Sequence, residues 1–141
     1  MENIEIQNNT NTEVAVNNFI EAICDDNHIY NYFATISMAV LPVVQAALQH
    51  SSKVMLNFDY SPSGPIFSIH SDDICFSRDS EIFADMFLFV EMLSDKYQLE
   101  DEGHTLQLLF AIRGIDAQEA LRRTSVLERF YVPVQVLLPS C

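Results

Sequence analysis

Basic residues are scarce. Seven Lys and Arg stand against 20 Asp and Glu, for a formal net charge of −13 and a pI near 4.3. Residues 1–52 hold no Lys or Arg at all. A surface of this sign repels phosphate backbones and anionic bilayers, which argues against nucleic-acid and membrane partners. Cysteine is also sparse. Cys24, Cys75 and Cys141 are an odd, scattered set, which gives neither a disulfide framework nor metal-ligand spacing. Cys75 has no activating base close to it in sequence, so a catalytic thiol is not expected. Gly and Pro are few, at three and five, and 49% of residues are hydrophobic, which excludes a disordered chain. The opening MENIEIQNNTNTE lacks the basic and apolar regions of a secretory signal. No apolar run reaches the ~18 residues of a membrane span; the longest, near residues 33–48, ends in Gln49 and His50. A reduced, cytoplasmic protein is expected.

What is present is pattern. At 141 residues the chain has the length of one domain with a real core. NIEIQ at 3–7 alternates as a strand, and NNTNTE offers caps for a helix over 14–25. Residues 29–50 predict a second helix, apolar nearly all round and therefore central. KVMLNFDY and PIFSIHS flank the turn SPSG and predict a hairpin. A helix is predicted over 79–93 with Asp79 or Ser80 as its cap. YQLE and HTLQLLFAI predict a second hairpin around Asp101–Gly103. Asp116 and Glu119 have capping-box spacing for a further helix, and VPVQVLL reads as a final strand or an extended tail.

This order predicts an α+β fold. One mixed, largely antiparallel sheet is covered on one face by helices, with an extra C-terminal helix and strand. Residues 1–112 form the domain. Residues 113–141 form an extension packed on it or in a dimer. Four of the seven basic residues, Arg113, Arg122, Arg123 and Arg129, lie in that extension. They suit docking on the acidic body or on an acidic partner, or are ordinary solvated helix charges.

Two stretches carry a resemblance. SMAVLPVVQAALQH, residues 37–50, is similar in its apolar positions and closing His to a helix of the type LAVEEAVTNAIKH. FVEMLSDKYQLEDEGHTLQLLFAI, residues 89–112, is similar to the last helix and hairpin of the same family. The chain thus resembles the GHKL (histidine-kinase-like) ATPase fold, in its anti-sigma-factor serine-kinase branch, over roughly residues 3–112. In that family a Glu on the central helix is the general base, and an Asn one turn later holds Mg²⁺ among the ATP phosphates. An Asp at a strand end binds adenine, and glycines after it admit the nucleotide.

The resemblance places Pro42 at the general-base position and Ala46 at the Mg²⁺ position. His50 matches the closing His. Ser71 falls at the adenine Asp, with Asp72 reaching that role by a shift of one residue. Asp73 and Cys75 fall at the glycines, and Phe76 matches the aromatic that follows. The few residues from Phe76 to the next helix leave almost no lid. Pro42 has no basic atom, and inside a helix it removes an N–H and predicts a kink. The implied pocket, Ala46, Gln49, His50, Ser71, Asp72, Asp73 and Cys75, is therefore degenerate, with no catalytic residue, no metal and no cofactor. Gln45, Gln49 and His50 line what is left of it or simply satisfy a helix end. The resemblance implies a pseudo-ATPase regulator. Its partners would be a sigma factor, an anti-sigma antagonist, a paralogue or a second copy in a homodimer. The alternative is an active ATP-binding serine kinase with altered motifs, in which Asp72 contacts adenine and Gln49 or His50 assists the phosphates.

Overall fold

The computed structural model describes residues 2–8, 11–77 and 79–112. Strand β1 (Glu2–Gln7) leads to helix α1 (Thr12–Asp26). Asn11 caps α1, its Oδ1 accepting from the Val14 N–H at 3.3 Å. Val16, Ile20, Ile23 and Cys24 recur at helical spacing and form the buried stripe of α1. Asn27 closes it by donating from Nδ2 to the Ile23 carbonyl at 2.8 Å. A single 3₁₀ turn, Tyr30–Tyr32, then delivers the chain into helix α2 (Phe33–Leu48).

Helix α2 is the centre of the molecule. Nine of its residues are buried, among them Ile36, Val40, Val43, Val44 and Ala47. It packs against α1 on one flank, the third helix on the other and the sheet beneath. Ser37, buried in α2, donates to Asn17 Oδ1 of α1, so its hydroxyl is satisfied. The helix is unbroken across Pro42. The stretch Tyr30–Leu48, 19 residues with a mean hydropathy of 1.4, has the length and composition of a membrane span, and half of it is buried inside the fold. That burial is the environment of a core helix.

Strands β2 (Lys53–Ser61) and β3 (Gly64–His70) form the first predicted hairpin. Gly64 has φ +144°, and a Cβ there would stand 2.2 Å from the Phe110 carbonyl oxygen, so no larger residue fits. Helix α3 spans Ala84–Leu93, and strands β4 (Lys96–Glu100) and β5 (Thr105–Leu109) form the second hairpin.

The start of α3 corrects the expectation of a helix from residue 79. The N–H of Phe83 donates to the Ser80 carbonyl at 3.1 Å and that of Ser80 to the Ser77 carbonyl at 3.2 Å. The Ser80 hydroxyl accepts from the Ile82 N–H at 3.3 Å. Ser80 thus uses its side chain in a local turn rather than as a helix cap. The helix begins behind Phe83 with no side-chain cap.

The five strands form one sheet in the order β1-β2-β3-β5-β4, and every described pair is antiparallel. Ile6, Val54, Leu56, Phe67, Ile69, Leu106 and Leu108 point to the helices and are buried. The alternate residues form the other face. There Asn3, Asn57, Ser68, Gln107 and Gln98 stand in a single row across all five strands. The period of two therefore splits the sheet into an apolar inner face and a mainly polar outer one, on which Met55, Ile66 and Leu109 also stand. The predicted C-terminal helix and strand, and the docking of the extension, lie outside the described residues.

Candidate functional site

Two hinges of the chain meet beside the end of β3. One is the short link from α2 to β2, Gln49–Ser52. The other is the segment Ser71–Ser77 that leaves β3. Ser71 is buried, and its hydroxyl donates to Ser51 Oγ at 3.0 Å. Ser51 Oγ lies 3.1 Å from Asp73 Oδ2 and 2.9 Å from the Lys53 carbonyl oxygen. The Asp73 N–H turns back to Ser71 Oγ at 3.3 Å. This small Ser–Ser–Asp network ties the two hinges together.

The remaining residues of the implied pocket separate into two groups. Pro42 and Ala46 are half-buried on α2, and Gln49 is exposed at its C-terminal cap. His50 is exposed, with its ring edge-on to Phe83 at 6.5 Å between centroids. Phe83 in turn packs on Phe76 at 5.4 Å. Ile74, Phe76 and Phe83 are all buried in the core shared by α2 and α3. The connection expected to be a vestigial lid is thus a packed one. It is longer than predicted, because α3 starts late, and its aromatic residues point inward.

Cys75 is exposed and its thiol donates to the Glu102 carbonyl at 3.2 Å. That contact belongs to a second set of stitches, between Ser71–Phe76 and the β4–β5 turn. Ser71 N–H donates to the His104 carbonyl at 3.0 Å, and Phe76 N–H to the Gly103 carbonyl at 2.7 Å. His104 Nδ1 lies 2.6 Å from the Ile74 carbonyl oxygen. Asp101, Glu102 and Gly103 take φ of 53°, 59° and 94° in succession. Left-handed backbone at two non-glycine residues is costly alone and persists where neighbouring bonds hold it. At Gly103 a Cβ would meet Cys75 Sγ at 2.6 Å, which is why a glycine ends the turn.

The outer face carries a polar chain that sequence reading missed. His70 Nε2 lies 2.8 Å from Asp72 Oδ1, and His70 Nδ1 lies 2.7 Å from Thr105 Oγ1. Thr105 donates to Asp101 Oδ2 at 2.6 Å. Toward the ring, therefore, Thr105 accepts, which puts the Nδ1 hydrogen on His70. The hydrogen bond with His70, then its charge, hold the Asp72 carboxyl below its ordinary 3.8. His70 stands opposite Thr105 in the pairing of β3 with β5, two strands that are not consecutive in the chain, so no local signal in the sequence announced it. A cavity of about 250 Å³ opens here, lined by Ser71, Asp72 and Asp73 with Glu5, Lys53 and His70. It contains three of the implied pocket residues and none from α2.

Among the described residues, no three His, Cys, Asp or Glu are grouped as metal ligands would be. Cys24 is buried, and burial first, then Asp25, pushes its thiol up to about 11. Such a thiol is protonated and inert near neutral pH. The chain matches no protein-family model, and no curated protein gives a significant match.

Proposed function

We propose that this chain is a regulatory protein of the anti-sigma-factor type that has lost ATP binding and kinase activity and acts through protein–protein contact. The reading starts from the resemblance of roughly residues 3–112 to the histidine-kinase-like ATPase fold. One observation supports it most: several groups around the implied pocket are engaged with the protein's own, and the cavity of about 250 Å³ that remains there is lined by Asp72, Asp73 and Glu5. Ile74, Phe76 and Phe83 are in the core. Ser71 is buried and bonded to Ser51, and Asp73 is bonded to the same hydroxyl. Pro42 and Ala46 offer no oxygen for a base or a cation.

A nucleotide at Ser71 and Asp73 would compete with their hydrogen bonds to Ser51 and bring phosphates to a strongly acidic domain. A protein partner requires neither. In this reading the protein works in a bacterial cytoplasm in transcription control, and its partner is a sigma factor, an anti-sigma antagonist or an intact paralogue.

The experiment is calorimetry and thermal shift with ATP·Mg²⁺ and with ADP·Mg²⁺ at about 1 mM, where any ligand of useful affinity raises the melting point. No heat and no shift are expected. Magnesium-dependent binding that disappears in His50→Ala would overturn the loss of ATP binding and favour the active-kinase alternative.

A further inference from the structure

His70 ends β3 on the outer face, in the row Glu5–Met55–His70–Thr105–Glu100 that crosses all five strands. Both of its ring nitrogens face an oxygen. Nδ1 lies 2.7 Å from Thr105 Oγ1, and Nε2 lies 2.8 Å from Asp72 Oδ1. A count of hydrogens decides what the ring must be. The Thr105 hydroxyl gives its one hydrogen to Asp101 Oδ2, 2.6 Å away, because a carboxylate only accepts. Toward Nδ1 it therefore presents a lone pair, and Nδ1 must donate. Asp72 is an exposed carboxylate, ionised near neutral pH, so Nε2 must donate as well. Only the doubly protonated, positively charged ring makes both bonds. We propose that His70 is a proton-operated latch: the imidazolium ties Asp72 to Thr105 and Asp101, and loss of one ring proton releases Asp72.

The latch has something to hold. Asp72 lies in the segment Ser71–Ser77 that leaves β3, and Asp101 opens the β4–β5 turn, whose backbone is left-handed at Asp101 and Glu102. Backbone bonds from Ser71 to His104 and from Phe76 to Gly103 already join the two. The charged ring adds a bridge across the same gap, with Nδ1 also 3.9 Å from Asp101 Oδ2. A neutral ring keeps one hydrogen. Thr105 is buried, whereas the Asp72 side chain is 82% exposed. Keeping the sheltered Nδ1–H bond and giving Asp72 to water is the less costly course.

The other charged groups nearby are accounted for. Lys53 of β2 and Glu5 of β1 pair with each other on the wall of the same cavity. Asp73 is bonded to Ser51, and His104 Nδ1 is turned to the Ile74 carbonyl. Glu100 stands beyond Thr105 in the row, and Glu102 is exposed in the turn. Among the described residues, only Thr105 and Asp72 bond to the ring. The His70 side chain is 32% exposed, so water can exchange its protons. Closing the latch takes up a proton. It therefore closes as pH falls through the range in which imidazoles gain charge, about pH 8 to 5. It opens again only when Asp72 is itself protonated, below the ordinary 3.8. The latch operates whether or not the implied pocket takes a nucleotide.

The test is ring nitrogen-15 spectroscopy and amide exchange on the full-length chain at about pH 5.5 and about pH 8.5. His70→Gln assigns the ring signals. At the higher pH the remaining ring hydrogen is expected on Nδ1. Protection of the Ser71, Phe76 and His104 amides, corrected for the intrinsic pH dependence of exchange, is expected to fall about two- to fivefold from the lower pH to the higher. Asp72→Asn offers an amide that accepts from a charged ring or donates to a neutral one, so that fall is expected to vanish. Asp101→Asn gives Thr105 a donor and frees its hydroxyl to donate to Nδ1. In that variant the hydrogen at about pH 8.5 is expected to move to Nε2. Both positions are exposed and asparagine tolerates left-handed backbone, so the fold is expected to survive, which circular dichroism checks. A hydrogen on Nε2 in the unaltered chain at about pH 8.5 overturns the latch. So does equal protection at the two pH values, or a fall that persists in Asp72→Asn.

Discussion

At the scale of single residues, the His70–Asp72 pair makes a sharp statement. Asp72 is exposed, yet its carboxyl is held below 3.8 by a hydrogen bond and a charge from one neighbour. A depressed carboxyl stabilises the fold above its unfolded value and loses that effect as pH falls through the folded one. The window therefore lies below about pH 4, and the effect is small because water screens the pair. Carbon-13 detection of the carboxyls is expected to show Asp72 titrating below the other exposed aspartates. In His70→Ala its midpoint should rise toward the ordinary value. A midpoint indifferent to that change would mean that the pairing does not hold in solution.

At the scale of elements, α2 raises the question of its proline. Pro42 lacks an N–H and crowds the Met38 carbonyl, and interior proline costs a helix about 3 kcal/mol. Yet α2 continues through it, because nine buried side chains anchor the helix on both sides. Pro42→Ala is expected to stabilise the protein by about 1–3 kcal/mol, read from the urea midpoint. A loss of stability would mean that the ring itself fills a needed space.

This is also the scale at which the sequence was most legible. Apolar spacing marked α1, α2 and both hairpins, since periods of 3.6 and 2 are local properties. The start of α3 was misplaced because Asp79 and Ser80 carry cap chemistry, and only the surrounding fold decides whether a serine caps a helix or closes a turn. The Ser51–Ser71–Asp73 and His70–Thr105–Asp101 networks join residues distant in sequence. They depend on strand order, which hydrophobic pattern does not encode. The inward turn of Phe76 and Phe83 was hidden for the same reason.

At the scale of the whole molecule, charge is the dominant feature. A net −13 on a domain this size repels itself, and compact states suffer more from that than open ones. Raising NaCl from about 10 to 150 mM shortens the range of that repulsion. The thermal midpoint is therefore expected to rise by several degrees in a melting series at neutral pH. A flat or falling midpoint would show that local ion pairs outweigh the global field. The Lys53–Glu5 pair, at 3.8 Å with both side chains largely exposed, is too weak to do so.

The order of the sheet also sets a clock. Each hairpin closes over a short turn, a matter of microseconds for an isolated ribbon. Strand β1 has no such neighbour: Ile6 faces Val54 only after all of α1 and α2 has been laid down between them. Closing so long a loop is entropically expensive, and only the finished pair offsets it. During synthesis β1 is made first and must wait, with Ile4 and Ile6 uncovered, until β2 exists. It is then expected to settle late, so the window in which this chain is most easily captured or cleaved is expected to open at β1.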